Sequence, residues 1–555
     1  MANTDPGLQR EIDHEVATRI SRIESVINEE AAAQPAQNAG GEEISAGGQR
    51  GELLAKAVDR RSFLSGSAAV ISAAAIASTL QMSMIKSAEA HGFRRHKRRV
   101  RCPYGDPVPT LDESTGLPLI GLPPGFKYWS YGWRGDPIFA DLVNGPATPA
   151  MHDGMGVIRQ IGSLAILCRN HEVANAPAYV DGKIRYSPVA GGGTTNIMFD
   201  TRRRKWISAW PTLSGTIRNC AGGSSLQNSW LTCEETTINT SVDGATFSHG
   251  WVFEVPAVGT ASAKPIKGMG RRSHEAAEVD PRTGIVYLTE DATPGGVYRF
   301  IPERHHGHSH HHSHVDYLRG GRLEMLKIVG MPNANLRGSA PQGGGGAPYP
   351  VDVGVPLDVE WVPIADPENL SSPSNVSQGL ALGGADFRRP EGIWHGDGNM
   401  YFVSTDGGQN GNGMVFELNL RKQQLTLIYD SPTADALDNP DNLTVTPRGG
   451  LLFCEDNSGS PQFELDGVST ERLVGFTPDG DIFNFATNLI DFSTSLPTSM
   501  GPYTRPNNPV VFSSNDRANE WAGASFDRSG DWLFVNIQTP GVTFAITGPW
   551  RHGPL

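Results

Sequence analysis

Glu275–Asp291 reads EAAEVDPRTGIVYLTED, and two later stretches repeat its plan: Glu391–Asp406 (EGIWHGDGNMYFVSTD) and Asp441–Asp456 (DNLTVTPRGGLLFCED). Each holds a short β-forming run, a turn with glycine and a second short apolar run, too brief for a helix. Each is therefore read as a β-hairpin. An acid opens the first strand and another closes the second, and in an antiparallel hairpin those two points lie side by side. Cys220–Glu235 (CAGGSSLQNSWLTCEE) keeps the spacing with a looser first strand.

The second half of this pattern recurs more widely, at Ser163–Glu172, Ser229–Glu235, Gly284–Asp291, Gly398–Asp406, Gly450–Asp456 and Asp531–Gln538. The ends of these strands are 50 to 115 residues apart, which fits four-stranded blades with loop insertions. An all-β fold is expected, a single six-bladed β-propeller with its hairpins arranged radially. The acids would then face one mouth of a central channel. The 65 glycines and 40 prolines among 555 residues suit many short strands joined by turns.

The mouth would gather Asn170-His171-Glu172, Asn219-Cys220, Glu234-Glu235, His274-Glu275, Glu290-Asp291, Arg389-Pro390-Glu391, Asp438, Asp441-Asn442 and Glu455-Asp456. Turn chemistry accounts for Asp280, Asp397 and Asp527, but not for glutamates that recur in phase at strand starts. A carboxylate-rich set suits calcium, a hard cation with oxygen ligands. Cys220 reads either as a small buried hydrophobe or as a ligand for a softer, redox-active metal such as iron. Arg389 either pairs with the acids or awaits an anion, and its planar fork matches phosphate. There is no Walker loop, no G-x-S-x-G elbow and no H-E-x-x-H pair. A net charge of -13 argues against a nucleic-acid partner.

Near the start, Asp59-Arg60-Arg61-Ser62-Phe63-Leu64 followed by an apolar run from Ala68 to Ile85 and by Ala88-Glu89-Ala90 reads as a twin-arginine export signal with a cleavage site. Residues 1–90 are thus taken as a polar leader plus signal, and residues 91–555 as the propeller. The twin-arginine translocation machinery is an expected partner, and the destination is periplasmic or secreted. Residues 305–314 (HHGHSHHHSH) read as a surface insertion kept apart from the site. Five cysteines are an odd number, so a complete disulfide framework is impossible.

The stretches RRSFLSG, MHDGM, NHE, NCAGG with WLTCEE, SHEAAEVDPRTGIVYLTEDA, RRPEGIW, PDNLTV, CEDNSG and LFVNIQTPGVTFAITGPW jointly resemble the PhoX family of secreted alkaline phosphatases. The resemblance implies a phosphomonoesterase with a mixed centre of Ca2+ and Fe3+, acting as a monomer on small phosphate esters. By motif it implies Cys220, Glu275 and Glu391 as iron ligands. It further implies Glu234 or Glu235, with Asp456 and Asp441, around calcium, and Arg389 and Asn219 on the phosphate. The segment SSLQNS departs from the family pattern, where a TPWGT-like segment is expected. Two other readings compete: a calcium-dependent propeller lactonase or esterase, which would need neither Cys220 nor Arg389, and a non-catalytic exported propeller that binds metal.

Overall fold

The computed structural model describes residues 6–32, 99–139, 142, 144–174, 176–303, 315–338, 351–456, 463–465 and 467–555. Residues 33–98, with the expected export signal, and the histidine-rich stretch 305–314 lie outside the described residues. Among the described residues no helix is long and apolar enough to cross a membrane.

The architecture is all-β and propeller-like, with very little helix. Each of the apolar runs singled out above forms the second strand of a hairpin. The pairs are β1 (His152–Ile161) with β2 (Leu164–His171), β3 (Asn219–Ser224) with β4 (Ser229–Glu234), and β5 (His274–Val279) with β6 (Val286–Glu290). They continue with β7 (Pro390–Gly396) and β8 (Asn399–Ser404), β9 (Pro440–Val445) and β10 (Leu451–Glu455), and β11 (Trp521–Phe526) and β12 (Trp532–Ile537). Glycine turns join the strands as expected: Asp280 accepts from Arg282 N at 3.0 Å, and Asp527 accepts from Trp532 N at 3.1 Å.

The first strands of these hairpins contact one another in cyclic order, β1 to β3, β5, β7, β9, β11 and back to β1. Further strands extend each hairpin outward. Pro356–Pro363 pairs with Gly321–Ile328 on one side and Gln424–Asp430 on the other, fusing two hairpin units into one nine-stranded sheet. The sheet of β11 and β12 is completed by Lys127–Tyr131 from the other end of the domain, with Lys127 opposite Thr547. Closure of this kind joins the ends of the chain and leaves fewer open sheet edges.

One main-chain hydrogen bond recurs in every hairpin. The residue after each second strand donates to the carbonyl just before the first strand. The distances are Glu172 N to Met151 O 2.9 Å, Glu235 N to Arg218 O 2.8 Å and Asp291 N to Ser273 O 3.1 Å. Thr405 N to Arg389 O follows at 3.0 Å, Asp456 N to Asn439 O at 2.9 Å and Gln538 N to Glu520 O at 3.2 Å. This bond fixes the register at the same end of every hairpin, so side chains there share one rim.

Part of the polar leader is helix. Helix α1 (Pro6–Ala32) carries Leu8, Ile12, Val16, Ile23 and Ile27 at mostly four-residue steps, an apolar stripe along one face. Ile12, Ile23 and Ile27 are buried against the outer side of the β1–β2 sheet, in the cluster that holds Ile138, Phe139 and Ile158. Arg19 stacks 4.7 Å from the Phe139 ring centroid, and Glu30 accepts from Ser163 N at 3.2 Å.

Candidate metal and active site

Every first strand carries a β-bulge near its start, and in five of the six the bulge begins right after the first residue. The residue placed there is Asp153, Cys220, Glu275, Glu391 or Asp441. A bulge sets two residues against one and re-aims a side chain, and here it turns five ligand-type groups toward the same rim. At Asp153 and Glu391 the following residue must be glycine because the neighbouring first strand passes close by. A Cβ on Gly154 would lie 2.5 Å from Ala221 Cα, and one on Gly392 would lie 2.7 Å from Asp441 O. Amide side chains hold the bulges from the adjacent hairpin: Asn170 Nδ2 donates to Cys220 O at 2.7 Å and Ala221 O at 2.9 Å, and Asn536 Nδ2 donates to Asp153 O at 2.6 Å.

These residues converge. Oxygens of Glu275, Glu391 and Asp441 lie within 4.8 Å of one another, all buried. The Cys220 thiol donates to Glu275 Oε1 at 3.2 Å. Asp153 is 1% exposed, and neither of its carboxylate oxygens has a hydrogen-bond partner among the described residues. A buried carboxylate without donors is costly unless it is protonated or coordinated.

Burial and mutual repulsion raise the pKa values of the clustered acids. Burial, then the charges of Glu172 and Asp441, push Asp153 well above the usual carboxylate range. Burial, then Asp441, Glu235 and Asp153, do the same to Glu275. Glu520, just before β11, is raised by burial and by Asp456, Asp153, Asp441 and Glu172. Asp441 is pushed up to about 7, first by burial and then by Asp456. Burial and the surrounding acids hold the Cys220 thiol protonated, well above its ordinary value. Multivalent cations reverse this logic and favour carboxylate and thiolate, so the donor set fits metal ions.

The ends of the second strands add a further set: Glu172, Glu235, Asp291 and Asp456, with Thr405 after β8 and Gln538 in the last hairpin. Arg218 Nε donates to Glu172 Oε1 at 2.8 Å while its Nη2 meets Glu235. Arg389 Nε donates to Asp291 Oδ1 at 2.9 Å, and its Nη2 lies 2.7 Å from Glu391 Oε1. Gln538 Nε2 donates to both Glu172 Oε2 and Glu520 Oε1 at 2.7 Å. Arg389 and Arg218 both have left-handed backbones, with φ of 43° and 48°. Met151 and Asn439, in the same position before β1 and β9, share that conformation, so it belongs to the hairpin plan.

Two of the expected site residues belong elsewhere. Glu234 is fully buried and accepts from Ile217 N at 2.9 Å, Gly250 N at 2.9 Å, Trp251 N at 3.1 Å and His249 Nδ1 at 2.6 Å. Strand alternation sends it away from the rim and leaves Glu235 there. Glu290 and Glu455 behave alike, spent on Tyr298 and on Arg472, so the second acid of each pair is the one at the rim. Asn219, expected to hold phosphate, instead donates to Thr232 Oγ1 at 2.9 Å and accepts from Thr216 Oγ1 at 2.5 Å. Both ends of its amide are used inside the sheet. Asp438 sits behind the site, with its N–H on Glu455. His171 and His274 bond main-chain carbonyls, at Ala150 O and Gly270 O.

Asp153, Arg218 and Glu520 were not picked out by spacing, whereas Glu172 was placed at the mouth and is there. Cys220, Glu235, Glu275, Glu391, Asp441, Asp456 and Arg389 are at the rim or the bulges, as expected from the repeat.

A family profile described as "Alkaline phosphatase PhoX" matches residues 104–210 and 207–541. The chain belongs to the PhoX alkaline phosphatase family. Among solved structures, Pseudomonas fluorescens PhoX in complex with vanadate, a transition state analogue, superposes with a TM-score of 0.55 at 17% identity, covering 81% of this chain and 98% of that one. This likeness shows the fold that the PhoX profile implies. A gluconolactonase from Xanthomonas campestris reaches only a TM-score of 0.30 at 14% identity, over 73% of this chain and 98% of its own. A comparison with curated proteins finds no match. Family membership makes the chain a hydrolase of the alkaline phosphatase type.

Proposed function

We propose that the chain is an exported, metal-dependent phosphomonoesterase whose cations lie among Cys220, Glu275, Glu391 and Asp441 at the mouth of a six-bladed propeller. The observation that carries this reading is the convergence of five ligand-type side chains at one bulge position, one of them a buried carboxylate with no donor. The PhoX family supports phosphate esters as substrates. The vanadate complex of the Pseudomonas fluorescens protein supports the same chemistry, since vanadate there is a transition state analogue. The repeated main-chain bond and the cyclic contacts of the first strands support the blade count. The twin-arginine pattern at Arg60-Arg61 supports export to the periplasm or beyond.

The donor types suggest how cations are shared. A thiolate with Glu275 and Glu391 suits Fe3+, and the all-oxygen groups Asp441, Asp456 and Glu235, with Asp153, Glu172 and Glu520, suit Ca2+. When bound, such cations supply positive charge for the phosphoryl oxygens and the departing alkoxide. The chain's own part is orientation. Arg389 is clamped along its Nε and Nη2 edge by Asp291 and Glu391, which leaves Nη1 to donate to a phosphoryl oxygen. No serine or histidine is needed as nucleophile or base.

Protein purified with its native leader should hydrolyse p-nitrophenyl phosphate when supplied with calcium and iron. Glu391→Ala should lose both metal retention and turnover; full activity in that variant would reject the site.

A further inference from the structure

Arg218 and Arg389 are built alike. Each stands just before a first strand with a left-handed backbone. The N–H of Arg218 donates to Val173 O at 3.1 Å and that of Arg389 to Ala292 O at 2.9 Å, in each case the residue after the rim acid of the preceding hairpin. The side chains repeat the relation, since each Nε donates to that acid, Glu172 or Asp291. Each Nη2 then meets a second carboxylate, Glu235 or Glu391. Neither Nη1 donates to any described residue, and the two side chains remain 43% and 35% exposed.

An arginine presents its donors in a rigid fork, and carboxylates that fix one edge leave the other presented to solvent. The rim therefore carries two prepared donor edges. Arg389 adjoins Glu391, one of the three clustered acids, and is placed for the group that reacts. Arg218 pairs with none of those three. Glu235 and Asp291, each paired with one of the two arginines, stand between them. The forks thus sit on different hairpins as separate donors.

We propose that Arg218 binds a second anionic group on the leaving portion of the substrate, so that the site favours phosphate monoesters carrying a further carboxylate or phosphate. This rests on the phosphomonoesterase reading above. The test uses two esters with one carbon skeleton, glycerol 3-phosphate and 3-phosphoglycerate, in which a terminal CH2OH becomes a carboxylate. Their kcat/KM ratio is measured on one preparation of the metal-loaded full chain, so that any loss of folded or metal-bearing protein cancels.

The wild type should favour 3-phosphoglycerate by about tenfold, the scale of one charge-assisted hydrogen bond. Arg218→Gln should remove most of that preference through KM, while Arg389→Gln should depress both esters alike. A wild-type ratio near one, or a preference unchanged in Arg218→Gln, overturns the proposal. A wild type that cleaves p-nitrophenyl phosphate but neither of these esters overturns this assignment alone, whereas one that cleaves none of the three overturns the phosphomonoesterase reading and this assignment with it.

Discussion

The Cys220 thiol lies 3.2 Å from Glu275 Oε1, although 55 residues separate the two along the chain. Both sit on bulges of adjacent first strands, and both are buried. Burial raises the pKa of both, and the nearby acids, Glu275 among them, raise the thiol further, while the thiol's hydrogen bond holds Glu275 only partly back. Such a pair is stable as a metal ligand set or as two protonated groups, and this choice leads to the first expectation.

Metal-free protein should lose stability as pH rises. Asp153, Glu235, Glu275 and Glu520 hold their protons more tightly folded than unfolded, as does Asp441 with a value of about 7. The folded state then binds more protons, so this stabilisation is complete below the ordinary carboxylate range near pH 4 and is lost as pH climbs through the raised values. Calorimetry of chelated protein should show Tm falling from pH 5 to pH 8, and added calcium should reverse the slope. A Tm that rises with pH after chelation would contradict the cluster.

Asp153→Asn should separate folding from metal binding. Without metal, it removes a buried carboxylate that has no donor, and Tm at pH 8 should rise. Metal affinity, read by titration, should fall by more than the roughly tenfold typical of losing an outer-shell partner.

Glu234→Gln should do the reverse. Its carboxylate accepts three main-chain N–H groups and His249, and an amide cannot accept all of them. A loss of about 2 kcal/mol in denaturant unfolding is expected, the usual cost of an unsatisfied buried group. Metal content per folded molecule should hold.

The leader helix should detach when its stripe is broken. Ile23 is buried against the outer side of the β1–β2 sheet. Ile23→Asp forfeits the roughly 1.5–3 kcal/mol of burying such a side chain and adds a buried charge. Limited proteolysis should then cut within residues 6–32 much faster than in the wild type, with turnover unchanged.

Much of the fold was legible because turn chemistry and strand alternation are local. Glycine turns at Asp280 and Asp397 and the apolar runs after them mark hairpins without tertiary information. Counting back from the closing acid found Cys220, Glu275, Glu391 and Asp441 because one kind of bulge recurs in those hairpins and keeps the spacing nearly constant. It missed Asp153 because β1 runs ten residues and contains a second irregularity at Val157/Arg159, which lengthens the count. It missed Glu520 because the bulge of β11 comes later, between Ala522 and Ser525, and the acid precedes the strand.

What local patterns could not decide was direction. Glu234 and Glu235 are chemically the same, and only the partners of Glu234 in other segments, His249 and Trp251, show which one turns away. Asn219 had the residue type for a phosphate contact, but Thr216 and Thr232 occupy its amide. The helix stripe from Leu8 to Ile27 was visible in principle, while the sheet face that makes it useful was not.

X-ray absorption at the iron edge, on protein purified with its leader, tests the centre most directly. A sulfur neighbour of iron that disappears in Cys220→Ser is the expected result; iron surrounded only by oxygen and nitrogen in the wild type would contradict the account.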